Sequence, residues 1–233
     1  SATLAFPVTD DFNDGDSTGW VVLNDSPVVA NWQVVGGEYL QQNRVESVQT
    51  FSQSYHLGTF AYYAAGLGWT DYRFSVQAQF LGASLADDIG VMFRYKDASN
   101  YYRLSLNSRY GFTRLEKRVA GVFTPLATNS RGYLPNELLN IAVEVRGTQI
   151  FVTINGDPVF AVTDASLTTG TVGLYSQDKS RFDNVLVQGV PWFPRVYLVS
   201  PLAHSVSSTN SVRAIAQATN VPIGGYVEFV LDG

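Results

Sequence analysis

The chain has 233 residues, 45% of them hydrophobic and 13% aromatic, which is enough for a dense core with aromatic rings left over for a surface. A net charge of −5 disfavours nucleic acid and anionic membranes as partners, and no apolar run approaches the roughly 18 residues that cross a bilayer. The absence of cysteine excludes disulfides, thiolate metal sites and cysteine nucleophiles together.

An acid-rich turn comes first: Asp10, Asp11, Asn13, Asp14 and Asp16. Such a set offers several of the oxygens that calcium takes, but its glycine falls at the wrong position for an EF-hand loop. The same residues equally suit a series of Asx turns capping loop amides.

Alternating or β-branched runs then recur at residues 32–35, 72–80, 89–95, 101–107, 112–118, 140–145, 149–155, 171–176 and 182–188. Turn signals separate them, including Gly36-Gly37, Ala120-Gly121 and the Asn155-Gly156 pair that favours a tight hairpin. No segment combines helical period, cap and length. The pattern therefore predicts an all-β protein, an antiparallel two-sheet jelly-roll sandwich, because closing the sheets into two packed layers leaves few edges open. Between the first runs, Tyr55-His56-Leu57-Gly58 through Tyr62-Tyr63 to Trp69 reads as core packing around a bend or as a binding loop.

Near residue 190 two prolines bracket Trp192 and Phe193 and interrupt any ladder. This places one domain at residues 1–190, a linker at 191–194 and a second β-unit at 195–233, with short strands expected at 196–199, 211–218 and 225–231. Those last 39 residues are too few for a core of their own, so the chain is expected to be a fragment of a longer parent.

The segment from Arg94 to Arg118 carries a local excess of five positive charges. Period-two sorting sends Ile89, Val91, Phe93 and Tyr95 one way and Arg94 the other, and sets Leu104, Leu106 and Leu115 against Arg103 and Glu116. Arg94, Tyr101, Arg103, Arg114 and Glu116 are thereby expected together on one polar outer face. Forked donors, an acceptor and aromatic rings are the parts of a carbohydrate site; the alternative is a solvated face of cross-strand ion pairs. The positive balance hints at an acidic glycan.

Several motifs stand in a familiar order: Asp11-Phe12-Asn13-Asp14-Gly15-Asp16 with Gly19-Trp20, Gly90-Val91-Met92-Phe93-Arg94-Tyr95, Asn100-Tyr101-Tyr102-Arg103-Leu104, Ile154-Asn155-Gly156, and Gly173-Leu174-Tyr175 with Phe182-Asp183-Asn184-Val185. Over about residues 8–190 the chain resembles the concanavalin-A-like, laminin-G-like jelly roll, in its bacterial branch of carbohydrate-binding modules and keto-disaccharide-hydrolase-like domains. The tail resembles the opening strands of a bacterial immunoglobulin-like repeat, a spacer in exported multi-domain enzymes. The resemblance implies a structural calcium ion, Ca2+, joining Asp11, Asp14 or Asp16 to Asp183. It also implies a secreted or cell-surface location, with further domains of the same parent chain and a polysaccharide or oligosaccharide as partners.

Glycoside hydrolysis takes two facing carboxyl groups, and no tightly spaced acidic motif occurs here. No Gly-x-Ser-x-Gly occurs either, and the two histidines, His56 and His204, are too few to build a triad. The expectation is a non-catalytic carbohydrate-binding module. The alternatives are a structural spacer or a polysaccharide lyase that would draw on Arg94, Arg103, Tyr101 and His56.

Overall fold

A computed structural model describes residues 6–45, 58–83 and 87–190, together with two backbone strands at 195–200 and 215–219. The first half contains β1 (Val8–Asp10), β2 (Trp20–Asn24), β3 (Trp32–Val35), β4 (Glu38–Gln41), β5 (Thr59–Tyr63), β6 (Tyr72–Phe80), β7 (Asp88–Asp97) and β8 (Asn100–Asn107). Then come β9 (Phe112–Val119), β10 (Val122–Asn129), β11 (Leu138–Arg146), β12 (Gln149–Ile154), β13 (Asp157–Thr163), β14 (Thr171–Ser176) and β15 (Ser180–Gly189). Helical structure among the described residues amounts to one turn, Ala64–Gly66.

Eight strands form one antiparallel sheet in the order β13-β12-β11-β6-β15-β4-β3, with β1 also paired to β15; seven form the other, in the order β10-β9-β8-β7-β14-β5-β2. The expected jelly-roll sandwich is the observed architecture. Alternation explains it: on β6, Tyr72, Phe74, Val76, Ala78 and Phe80 are buried while the residues between them are partly exposed. Leu139, Ile141, Val143 and Val145 of β11 join that layer and meet Ile89, Val91, Leu104, Leu106 and Leu115 from the other sheet. Each such side chain contributes about 1.5–3 kcal/mol on burial.

The tight hairpin at Asn155-Gly156 forms as expected, with φ of 54° and 88°; such left-handed pairs are what asparagine and glycine tolerate. Beyond residue 194, β16 (Arg195–Ser200) and β17 (Ile215–Thr219) pair antiparallel and overlap the first two expected tail strands. The 225–231 strand, the 191–194 linker, His204, and Tyr55, His56 and Leu57 lie outside the described residues.

Candidate functional site

The outward face of the seven-stranded sheet carries Tyr101, Arg103, Arg114 and Glu116, brought together as expected by the β8–β9 register, Arg103 opposite Glu116 and Ser105 opposite Arg114. Their setting differs from the solvated face that alternation suggested. Tyr101, Arg103 and Glu116 are no more than 1% exposed, and Arg114 is half-buried. The cause is a second apolar layer on the same face: Phe60, Met92, Tyr95, Tyr101 and Tyr175, with Leu23, Tyr62 and Phe123 packed against them.

Arg103 donates to Glu116 Oε1 from Nε (3.0 Å) and Nη2 (2.6 Å), and its guanidinium lies over Tyr175 (4.3 Å) and Phe123 (4.8 Å). Burial opposes its charge, but Tyr175 and Glu116 outweigh burial and push its pKa above the usual value. Arg114 Nε stands 3.2 Å from Glu116 Oε2, and Arg118 Nη1 donates to Asp25 Oδ2 at 3.0 Å. Asp88, wholly buried, accepts from Asn107 Nδ2 on Oδ1 (2.6 Å), whereas its Oδ2 has no hydrogen-bond partner. Burial raises the Asp88 pKa to about 7. Arg103, Arg114 and Arg118 are thereby each paired with a carboxylate of the protein.

Arg94 is not part of this group. It has φ of 44° and sits where the β7–β8 register slips between Phe93 and Asp97. This bulge reverses the alternation, so Tyr95, expected beside Phe93 in the main core, packs instead with Tyr62 and Phe60 on the outward face. The Arg94 side chain is fully buried and donates from Nη1 to the Leu167 carbonyl (2.9 Å) and from Nη2 to that of Thr70 (3.2 Å). It ties loops together and does not face solvent.

At the acid-rich turn Asp11 Oδ1 accepts from the Asn13 amide, Asp14 Oδ1 from Asp16 and Asp16 Oδ1 from Thr18, at 2.7–3.2 Å. Asp183 accepts from the amide of Asn184 (2.6 Å). The first three are Asx turns, and hydrogen bonding to the carboxylates lowers the pKa of Asp11 and Asp16. Among the described residues no three His, Asp or Glu gather as a metal-holding group.

The outward face of the eight-stranded sheet is open, and sequence reasoning missed it. A row of carboxamides crosses it. Asn184 Nδ2 donates to Gln77 Oε1 (3.0 Å), Gln77 Nε2 to Asn140 Oδ1 (3.1 Å), Asn140 Nδ2 to Asn155 Oδ1 (3.4 Å) and Asn155 Nδ2 to Glu137 Oε1 (3.0 Å). Arg131 donates to the same Glu137 oxygen and fixes the end of the chain (2.8 Å).

Beside this row the register lines up Leu186, Ser75, Ala142 and Thr153 across β15, β6, β11 and β12. Their small middle members make a floor, with Arg73 and Glu144 beyond it, 3.8 Å apart. Two depressions of about 280 and 590 Å³ result. They share Ser75 and Asn184 and so form one groove, whose far end is lined by Asp10, Asp11 and Asp14. The sequence signal was present: uncharged amides at the outward positions of 72–80 and 140–145.

Comparison with known proteins places this architecture. A search of curated proteins finds no match. Among solved structures, the carbohydrate-binding module CBM66 from Bacillus subtilis superposes with a TM-score of 0.60 at 18% identity, covering 74% of this chain and 96% of that one. A Bacillus subtilis protein of unknown function with a galectin-like fold gives 0.58 at 12% identity, covering 78% and 94%. The xyloglucan-locus protein GH43B of Bacteroides ovatus gives 0.57 at 14%, covering 80% of this chain but only 40% of its own length. At these identities the likeness is one of fold. The family model of the 3-keto-alpha-glucoside-1,2-lyase-like domain matches residues 7–188, and the chain belongs to that family of carbohydrate-related jelly rolls.

Proposed function

We propose that this chain is a non-catalytic carbohydrate-binding domain of a larger exported protein, holding its glycan on the outward face of the eight-stranded sheet. The observation that carries this reading is the exposed carboxamide row. Gln77 and Asn140 each use one N–H and one lone pair within it and keep one of each for a ligand. Sugar hydroxyls need that pairing of donor and acceptor on a rigid support. A glycan at Tyr101, Arg103, Arg114 and Glu116 would first have to displace the aromatic layer that buries them. The fold shared with a carbohydrate-binding module supports the same conclusion. A glycan array tests it: retention by the wild-type chain, lost in Gln77→Ala/Asn140→Ala at unchanged melting temperature, is the expected result.

The matched family's description favours a second reading, a lyase. Asp88, with its pKa near 7 and an oxygen outside any hydrogen bond, is the group suited to move a proton once the aromatic layer on that sheet opens to admit the sugar. Elimination would leave an unsaturated sugar that absorbs in the ultraviolet, and that absorbance, lost in Asp88→Asn, is the measurement that would favour the enzyme.

A further inference from the structure

The groove on the eight-stranded sheet runs across its strands, and this direction constrains the ligand. Neighbouring strands lie about 4.8 Å apart, close to the repeat of one sugar ring in an extended chain. The groove passes in turn over β15, β6, β11 and β12, which are adjacent in the sheet. Polar side chains recur at that interval along one wall: Asn184, Gln77, Asn140 and Asn155.

Charge narrows the choice further. Arg73 on the opposite wall lies 3.8 Å from Glu144, which Arg146 also pairs at 2.7 Å, whereas the far end presents Asp10, Asp11 and Asp14. An anionic chain would be repelled there, which reverses the acidic-glycan hint drawn from the arginine-rich segment. Among the described residues no aromatic ring lines either depression, so hydrogen bonds to sugar hydroxyls carry the recognition there.

We propose that the groove takes a neutral, unbranched and extended oligosaccharide perpendicular to the strands, one sugar over each of β15, β6, β11 and β12, with Gln77 and Asn140 as central contacts. The inference rests on the carbohydrate-binding reading above and adds length, shape and charge to it. Two arms on adjacent strands make binding multivalent along the chain, so each added sugar contributes until the four strands are covered.

Titration calorimetry of the full chain with xylo- and cello-oligosaccharides of two to six units, and with oligogalacturonates, provides the test. Affinity is expected to rise several-fold per unit up to four units and then level. Gln77→Ala and Asn140→Ala should each lower tetramer affinity by about fivefold, one hydrogen bond's worth, without moving the melting temperature. Oligogalacturonates should not bind. Equal affinity for dimer and hexamer, tight binding of anionic or branched chains only, or binding indifferent to both substitutions would overturn the inference while leaving a carbohydrate-binding domain in place. An array on which the wild-type chain retains no glycan would remove the underlying reading itself.

Discussion

On the outward face of the seven-stranded sheet, arginines and carboxylates are sealed among aromatic rings, whereas the eight-stranded sheet turns neutral carboxamides toward water. Both faces read alike as polar residues at alternate positions. What separates them is the company on the same face: Tyr101, Tyr175, Phe60 and Phe123 surround Arg103, and no such rings line the groove at Gln77. Guanidinium is planar and weakly hydrated, so it can be buried between rings once a carboxylate neutralises it. On the seven-stranded sheet strand charge thus marks an internal brace, and around Gln77 on the other sheet neutral amides mark the open surface.

The sharpest way to break this contrast is Arg103→Ala. Glu116 would keep its burial and Arg114 but lose the partner that donates twice to its Oε1, a change that costs about 3 kcal/mol, the low end for a broken buried pair. In a domain of this size that lowers the melting temperature by about 10 °C, while Gln77→Ala should stay within about 1 °C. A thermal scan showing equal effects would dissolve the distinction between brace and surface.

Arg94→Ala comes next. It strips the Leu167 and Thr70 carbonyls of their donor and empties a buried site, at a cost of about 2–3 kcal/mol. Glycan affinity of the surviving folded fraction should be unchanged. Lost affinity at full stability would return Arg94 to the binding surface.

Asp88→Asn sharpens the comparison through pH. The folded pKa of Asp88, about 7, stands above the ordinary 3.8, because burial disfavours its anion. The protonated form therefore favours the fold: this stability is full below about pH 4 and is lost as pH rises toward 7. Asp10 and Asp178, also raised by burial, act in the same direction, so the difference between wild type and Asp88→Asn isolates the one residue. At pH 8 the variant should be more stable by about 2 kcal/mol, less than the full shift at 1.36 kcal/mol per unit because relaxation softens the cost. At pH 4 the two should melt together.

Much of the fold was legible before the structure. Residues 32–35, 72–80 and 171–176 are strands with the boundaries that the pattern indicated; in 72–80 an alternating buried row enforces the period, whereas 171–176 is a short run buried on both faces. The unread strands include the edges β10 and β13, where one side is unpaired and Pro125 and Pro158 are tolerated. The candidate site was less legible. Tyr101, Arg103, Arg114 and Glu116 do share a face, as period two requires, but burial depends on what packs over that face. The bulge at Arg94 carries no signal in its residue type, because an arginine at positive φ is held by its contacts and not by preference.

The smallest effect concerns the acidic corner, where the open groove ends. A calcium clip between Asp11, Asp14 or Asp16 and Asp183 is a proposal that shares its carboxylates with three Asx turns, since each of the first three accepts a backbone amide on Oδ1. Calcium would take the second oxygen of each carboxylate, and so small a set of protein oxygens limits it to a millimolar site of the kind seen in extracellular modules. At tenfold over such a dissociation constant it adds about 1.4 kcal/mol, a rise of about 3–5 °C in melting temperature that EDTA would reverse. Asp183→Asn should abolish that rise, because the clip requires a ligand from the last strand. A melting temperature indifferent to calcium and EDTA would assign these aspartates to the turns they already cap, and the groove would then keep its negative end with no ion to neutralise it.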